Sequence, residues 1–262
     1  MAGLHKLTIG VRTFLRDEKL FKAVNGILAT MPEVEIFVVD CGEYTKEKDD
    51  FKARLIDMGH EVANLEFAVG FGAMSNMLID HFRRDYLLFG SDDFDFSPLS
   101  VREGIEKMVE ILDTTDVDVI SGRVSGHGAY EFDLEEQEGG VVIEHPVHIP
   151  NHPDLHFVYC DLTVNYSIFK RRVFEKVRFE QDVPIQGGEH GAQFLKIKRA
   201  GYKVAYAVGV EIEEQGGLDS RRYRQFRARH TDPPRVCFDR IGVKKYILGN
   251  GQVDWDASAH RN

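Results

Sequence analysis

The feature that most constrains this chain is a repeated switch of hydrophobic period in its first half, from short apolar β-branched runs to stripes at helical spacing. LTIGVRTF (7–14) reads as a strand, and DEKLFKAVNGILAT then sets Leu20, Phe21, Val24, Ile27 and Leu28 along one helical face. EIFVVD, ending in Asp40, is a second strand, and KEKDDFKARLIDMG a second helix with Gly59 just past its end as a C-terminal cap. A short strand at 64–67 leads into a helix over about 71–82, after which the apolar run YLLFG stops at SDDFDFSP. Ser100 and Glu103 form a capping box for VREGIEKMVEILD, and VDVISGRV supplies the next strand. This alternation predicts an α/β fold with a mixed, mostly parallel central sheet flanked by helices. Such a sheet gathers ligands beyond the carboxyl ends of its strands, where Arg12 to Phe14, Asp40 and Asp92 to Asp95 all fall.

The pattern then loosens. Residues from about Gly126 to Pro153 are rich in Gly, Glu, His and Pro and read as strands and loops inserted over the site. LTVNYSIF resumes as a strand, GEHGAQFLKIKRAG as a helix ended by Gly201, and YKVAYAV and VEIEE as two further strands. A chain of 262 residues with 43% hydrophobic content can bury one large core. The expected organisation is one domain over 1–232, with a donor-binding half at about 1–125 and an acceptor half at about 126–232, and a C-terminal extension, 233–262, packed on it. That extension, with its Asn-Gly turn, could brace the core, cover a ligand or join subunits.

A net charge of -10 opposes general attraction to phosphate backbones, so broad nucleic-acid binding is disfavoured. The local exception is Arg221, Arg222, Arg224, Arg227 and Arg229, which fit either a solvated helix face or contacts to a phosphate-bearing partner. Cys41, Cys160 and Cys237 are widely spaced and read as reduced thiols. No stretch approaches the roughly 20 apolar residues of a membrane span and no signal pattern opens the sequence, so the expected location is cytoplasmic. Neither G-x-S-x-G nor G-x-x-x-x-G-K-[ST] occurs, which argues against a serine hydrolase and a P-loop ATPase.

Two motifs carry candidate chemistry. Asp92, Asp93 and Asp95 at a strand end repel one another unless a cation lies among them, and hard carboxylate oxygens suit Mg²⁺ or Mn²⁺ bridging to a diphosphate. The same Asp-rich turn also fits N-terminal capping of the next helix. In GGEHGAQF, Gly187 and Gly188 permit a tight turn that delivers Glu189 to the start of a helix. Glu189 there could act as a general base, or simply favour the helix dipole. His145, His148, His152 and His156 recur at spacings that suggest zinc, but Pro146, Pro150 and Pro153 preclude a regular ligand face and favour a loop, one that could contact acceptor hydroxyls. Tyr159, Asp161 and Asn165 border the same region and could position an acceptor or serve packing.

The succession TFLRDEKL, FVVD, FGAMSN, LLFGSDDFDF and GGEHGAQFLKIKRAGYKVAY, over roughly residues 6–215, resembles family 2 and β-1,4-N-acetylgalactosaminyltransferase-like glycosyltransferases of the GT-A fold. The resemblance implies inverting transfer from a nucleotide sugar, a UDP-sugar first among them, to a hydroxyl-bearing acceptor such as a glycan, with Mn²⁺ or Mg²⁺. By match, Thr13, Phe14, Arg16 and Asp40 would line the base and ribose pocket, and Asn76 would lie near the diphosphate. Relatives often carry three consecutive Asp after the strand; here Ser91 takes the first place and leaves Asp92 and Asp93 as counterparts. Asp93 is then the preferred metal ligand, with Asp95 open as its D-x-D partner, and Glu214 in VEIEEQ stands where relatives often place a His ligand. Transfer to modified bases of viral DNA, and a non-catalytic nucleotide-sugar-binding protein of the same fold, are the alternatives.

Overall fold

In the computed structural model of the chain, residues 3–152, 154–181, 189–217, 219–228 and 236–259 are described. Strands β1 (Leu7–Thr13), β2 (Glu35–Asp40), β3 (Glu61–Asn64), β4 (Tyr86–Ser91) and β5 (Val119–Val124) alternate with helices α1 (Asp17–Thr30), α2 (Lys46–Asp57), α3 (Phe71–His81) and α4 (Leu99–Thr114). The switches of period therefore mark real elements. β1 and β2 are buried along their whole length, as expected of strands covered on both faces. α1 buries Leu20, Ala23, Val24, Gly26 and Ile27, and each large aliphatic among them contributes about 1.5–3 kcal/mol. Thr45 caps α2 by accepting from the Lys48 N–H at 3.3 Å, and Gly59 follows that helix at φ 87°.

Four local expectations change. β3 comes three residues earlier than the apolar residues at 64–67 suggested, because Glu61 to Asn64 pair with Phe37 to Asp40 at the sheet edge, where strands need not be apolar. The capping box does not form: Pro98 is the N-cap of α4, with no side-chain cap, so the helix starts ahead of Ser100. LTVNYSIF is a strand only from Ser167, the start of β9 (Ser167–Lys170). YKVAYAV and VEIEE belong to one strand, β10 (Val204–Ile212), whose register with β5 shifts between Tyr206 and Glu211; Gly209, at φ 77°, is the break seen in sequence.

The remaining elements are β6 (Phe132–Gln137), β7 (Val141–Pro146), β8 (Phe157–Cys160), α5 (Glu189–Arg199), α6 (Arg221–Ala228), α7 (Val236–Arg240), β11 (Lys245–Ile247) and β12 (Val253–Asp256). An eight-stranded sheet runs β3-β2-β1-β4-β9-β5-β10-β8, with β9 and β8 antiparallel to their neighbours. One core cluster packs α1 and α4 on one face, and a second holds α3, α5 and the C-terminal segment. β6 and β7 from the insert join β11 and β12 in a separate four-stranded sheet, so the C-terminal extension completes a unit begun a hundred residues earlier. Among the described residues no helix is long and apolar enough to cross a membrane.

Candidate donor and transfer site

Strand register brings the predicted residues to one sheet edge. Thr13 stands opposite Asp40 on β2, and Arg12 opposite Ser91 on β4. Leu15 then takes a left-handed turn, φ 58°, the kind of local strain often held at functional sites. Arg16, just beyond it, places its guanidinium between two carboxylates. Its Nε donates to Asp92 Oδ2 at 3.2 Å, its Nη2 to Asp92 Oδ1, and its Nη1 to Asp93 Oδ2 at 2.6 Å. Thr13 Oγ1 donates to Asp92 Oδ2 at 2.8 Å, and Ser91 Oγ donates to Asp93 Oδ1. Asp92 is fully buried, and burial lifts its carboxyl to about 6 against the opposing pull of Arg16. Burial also acts against ionisation of Asp93, but Arg16 outweighs it and holds that group below the usual carboxylate range. Arg12 and Lys19 lie within electrostatic reach of the same pair, Arg12 of both carboxylates and Lys19 of Asp93.

The turn after β4 is held by a segment that motif reading undervalued. Asp95 N–H donates to the Glu213 carbonyl at 2.9 Å and Gln215 N–H to the Asp93 carbonyl at 2.5 Å, with Phe94 bridged to Glu214. Gln215 is buried and its Nε2 donates to the carbonyls of Lys19, Asp92 and Phe94 at 2.9, 3.0 and 3.1 Å. Nothing in VEIEEQ marks this glutamine; only its tertiary position does. Glu214, next to it, carries its carboxylate to His127 Nε2 at 3.2 Å and stays half-exposed. Asp95 turns the other way, accepting from Ser97 Oγ at 2.5 Å and pairing with Lys22 at 3.0 Å. The D-x-D pair is therefore divided: Asp93 faces Arg16, and Asp95 caps its own turn.

Asp40 is buried between Lys52 at 2.5 Å and Lys48 at 3.0 Å, with the Gly42 N–H donating to Oδ1 at 2.7 Å. Beside it a cavity of about 400 Å³ opens between the start of α1, Glu43 to Lys48 and Asp219 to Arg222, with Arg16 in its wall. A second, of about 240 Å³, lies over Asp40, Tyr44, Lys52 and Asn64. Phe14 is buried in an aromatic cluster, its ring centroid 4.7 Å from Phe226 and 5.4 Å from Phe67. Asn76 is buried, and its amide donates to the Phe179 carbonyl at 2.9 Å and accepts from the Phe179 N–H at 3.0 Å. Both halves of the amide tie α3 to that backbone.

Glu189 opens α5, while Gly187 and Gly188, the expected turn before it, lie outside the described residues, as do Pro153, Arg229 and the side chain of Arg227. The link between Glu189 and the acidic strand end is Arg12. This guanidinium is buried, stacks 4.0 Å over the Phe71 ring and donates to Ser75 Oγ at 2.9 Å. Burial lowers it to about 10, while the charges of Asp92, Glu189 and Asp93 all raise it. The acids predicted from distant stretches of sequence thus act on one buried cation. His190 is part-buried, its Nε2–H donating to the Thr163 carbonyl, and desolvation there pulls it down to about 4.

Among the described residues no group of three or more His, Cys, Asp or Glu side chains is poised to hold a metal ion. The donors nonetheless fit a site completed by substrate, since Mg²⁺ is commonly held by one or two carboxylates plus phosphate oxygens. Asp93, partly exposed, and Glu214 supply hard oxygens from two backbone-paired segments.

His145, His148, His152 and His156 are exposed, with His145 Nε2 2.7 Å from Glu135. Asp161 pairs with Lys198 at 2.6 Å, and the Tyr159 hydroxyl donates to Asp116 at 2.6 Å. In α6, Arg221 and Arg224 are exposed, Arg222 pairs with Glu43, and Tyr223 is buried under the Arg16 guanidinium, 4.6 Å away. The cysteines are free thiols and buried.

No family model matches the chain. Over 129 residues, 49% of the chain, it is 32% identical to β-1,4 N-acetylgalactosaminyltransferase 2 of Mus musculus, a match that spans 23% of that relative. GalNAc-T7, solved with UDP, GalNAc and Mn²⁺, superposes with a TM-score of 0.63 at 12% identity, covering 92% of this chain and 57% of the other. The mannosyltransferase PcManGT of Pyrobaculum calidifontis, solved with GDP-Man and Mn²⁺, superposes with a TM-score of 0.56 at 16% identity, covering 86% and 60%. With its mainly parallel sheet and the acidic edge that sheet assembles, the chain is a GT-A fold relative of the glycosyltransferases, akin in sequence to the β-1,4-N-acetylgalactosaminyltransferases.

Proposed function

We propose that the chain is an inverting glycosyltransferase that moves a sugar from a nucleotide-sugar donor, UDP-linked by preference, to the hydroxyl of a glycan acceptor. The observation that carries this reading is the meeting of Thr13, Arg16, Asp92 and Asp93 at one sheet edge, beside a cavity with Arg16 in its wall. The nucleotide occupies the cavity that Leu15, Arg16, Thr45 and Lys48 line, next to the buried Asp40. The diphosphate then meets the Asp92–Asp93 edge. Asp93 and Glu214 would hold Mn²⁺ or Mg²⁺, which when bound would supply charge neutralisation for the departing nucleotide. Arg16 fixes Asp92 and orients Asp93.

Glu189 accepts the proton of the acceptor hydroxyl as its oxygen bonds to the anomeric carbon. The bond from that carbon to the diphosphate oxygen breaks on the opposite face, so configuration inverts and the nucleotide diphosphate leaves with the electron pair. Donor nucleotides bound in the solved structures of similar fold, UDP and GDP-mannose, support the donor class. The decisive experiment is a thermal-shift screen of UDP- and GDP-sugars with Mn²⁺, with Mg²⁺ and without metal, followed by donor hydrolysis. Ligand at a hundred times its Kd should stabilise the fold by about 2.7 kcal/mol. No shift with any nucleotide sugar would overturn the reading.

A further inference from the structure

We propose that Gln193 is a positioning residue: through one water held in a void beneath α5, it fixes the Arg12 guanidinium between the acidic sheet edge and the start of that helix. The effect on turnover rests on the glycosyltransferase reading above; the water site does not. Gln193 lies one turn after Glu189, in a run where Ala192, Phe194, Leu195 and Ile197 are buried apolar side chains. It is 2% exposed, and neither atom of its amide has a partner among the described residues. A buried amide in that state costs stability unless a polar group meets it, a cost that an apolar side chain of the same length would not carry.

Arg12 is in the same condition. Its Nη1 is used on Ser75 and its plane lies over Phe71, with Phe89 at 5.1 Å, but its Nε, also buried, has no partner among the described residues. The two side chains line one void of about 20 Å³, with Ser167, Phe169 and Phe194 in its wall. A water needs about 10–15 Å³ and two to four polar partners. The chemistry of the wall selects water over an ion. Arg12 Nε only donates and the Gln193 carbonyl oxygen only accepts, so an anion would answer the first alone and a cation the second alone. Water accepts from the guanidinium and donates to the amide.

The sheet beneath the void extends the polar row. Ser167 gives its own proton to the Val164 carbonyl at 2.7 Å, which leaves its oxygen as an acceptor for the water's other hydrogen. Ser121 stands opposite Ser167 on β5, and its fully buried hydroxyl is without a partner among the described residues. Arg12 carries the consequence to the reaction. The charges of Asp92, Asp93 and Glu189 all act on it, so a guanidinium that shifts changes the field at the acidic edge and at the proposed base together.

A high-resolution crystal structure of the whole chain should show one water within hydrogen-bond distance of both Arg12 Nε and the Gln193 amide. An empty void, or the two side chains bonded directly to each other, would overturn the proposal. In urea unfolding, Gln193→Met and Arg12→Met combined should lower the midpoint by less than the sum of their separate shifts, because either one alone breaks the same link; additive shifts would deny it. Gln193→Met, apolar and of like length, should reduce kcat about ten- to a hundredfold. It should also move the acid limb of the kcat–pH profile upward, since a cation held less firmly favours ionised Glu189 less. A folded Gln193→Met chain with native kcat and an unmoved limb would remove Gln193 from its positioning role. A chain that turns over no nucleotide sugar would sink the glycosyltransferase reading and the positioning role together, while the crystal structure and the unfolding cycle would still decide the water.

Discussion

Arg16 Nη1 lies 2.6 Å from Asp93 Oδ2, and the rest of the same guanidinium grips the fully buried Asp92. Removing one partner of a buried ion pair leaves an uncompensated charge, at a cost of about 3–5 kcal/mol. Arg16→Ala should destabilise the chain by that order in urea unfolding. Asp92→Asn added to it should restore most of the loss, because the orphaned charge is gone. Equal stability of Arg16→Ala and the native chain would remove Arg16 from its assigned place.

Glu189→Gln keeps size and polarity but cannot accept a proton. Turnover should fall roughly 10²–10⁴-fold while nucleotide-sugar affinity is retained. Asp93→Ala should show the complementary pattern, weakening donor binding chiefly when Mn²⁺ or Mg²⁺ is present. Isothermal titration beside steady-state kinetics separates the two, and a fully active Glu189→Gln chain excludes the proposed base.

Gln215 offers a test that no motif suggested. Its Nε2 satisfies the carbonyls of Lys19, Asp92 and Phe94 under the acidic turn. Gln215→Ala should cost about 1–3 kcal/mol in unfolding and weaken donor binding by loosening Asp93. Lys22→Ala, which frees only the Asp95 side of the turn, should leave donor binding within about twofold.

His190 gives the stability a pH dependence of known sign. In the folded chain burial holds it down to about 4, whereas unfolded it titrates near 6.5. Between those values the unfolded chain binds more protons, so stability from this group is present above about pH 6.5 and is lost as pH falls toward 4. The loss should reach about 3 kcal/mol. Urea titrations between pH 7 and 4.5 should show it, and His190→Gln should flatten the slope; an unchanged slope would place the acid sensitivity elsewhere.

Much of the first half was legible because each element repeats one local rule. A strand buried on both faces reads as a continuous apolar run, and a helix covering it shows one stripe, so α1 and β2 fall on the residues expected of them. Misreadings came where long-range pairing overrode local signal. Nothing apolar marks Glu61 as part of a strand until β2 pairs with it, and Val164 and Tyr166 look like strand residues although they lie in the loop before Ser167. Ser100 and Glu103 satisfy a capping pattern that the actual start of α4, at Leu99, leaves unused.

What the sequence determined by itself was the alternation of elements and, through it, that Thr13, Asp40 and Asp92 lie at strand ends on one edge of a parallel sheet. That follows from periodicity, a property of neighbouring residues. Only the tertiary structure decided how the acids divide: Asp93 turned to Arg16, Asp95 to Lys22, Glu214 brought beside them by a strand over a hundred residues away, and the C-terminal strands closing a cavity onto Glu189. A carboxylate's role depends on which charges and dipoles surround it, and those come from parts of the chain whose spacing carries no record of their meeting.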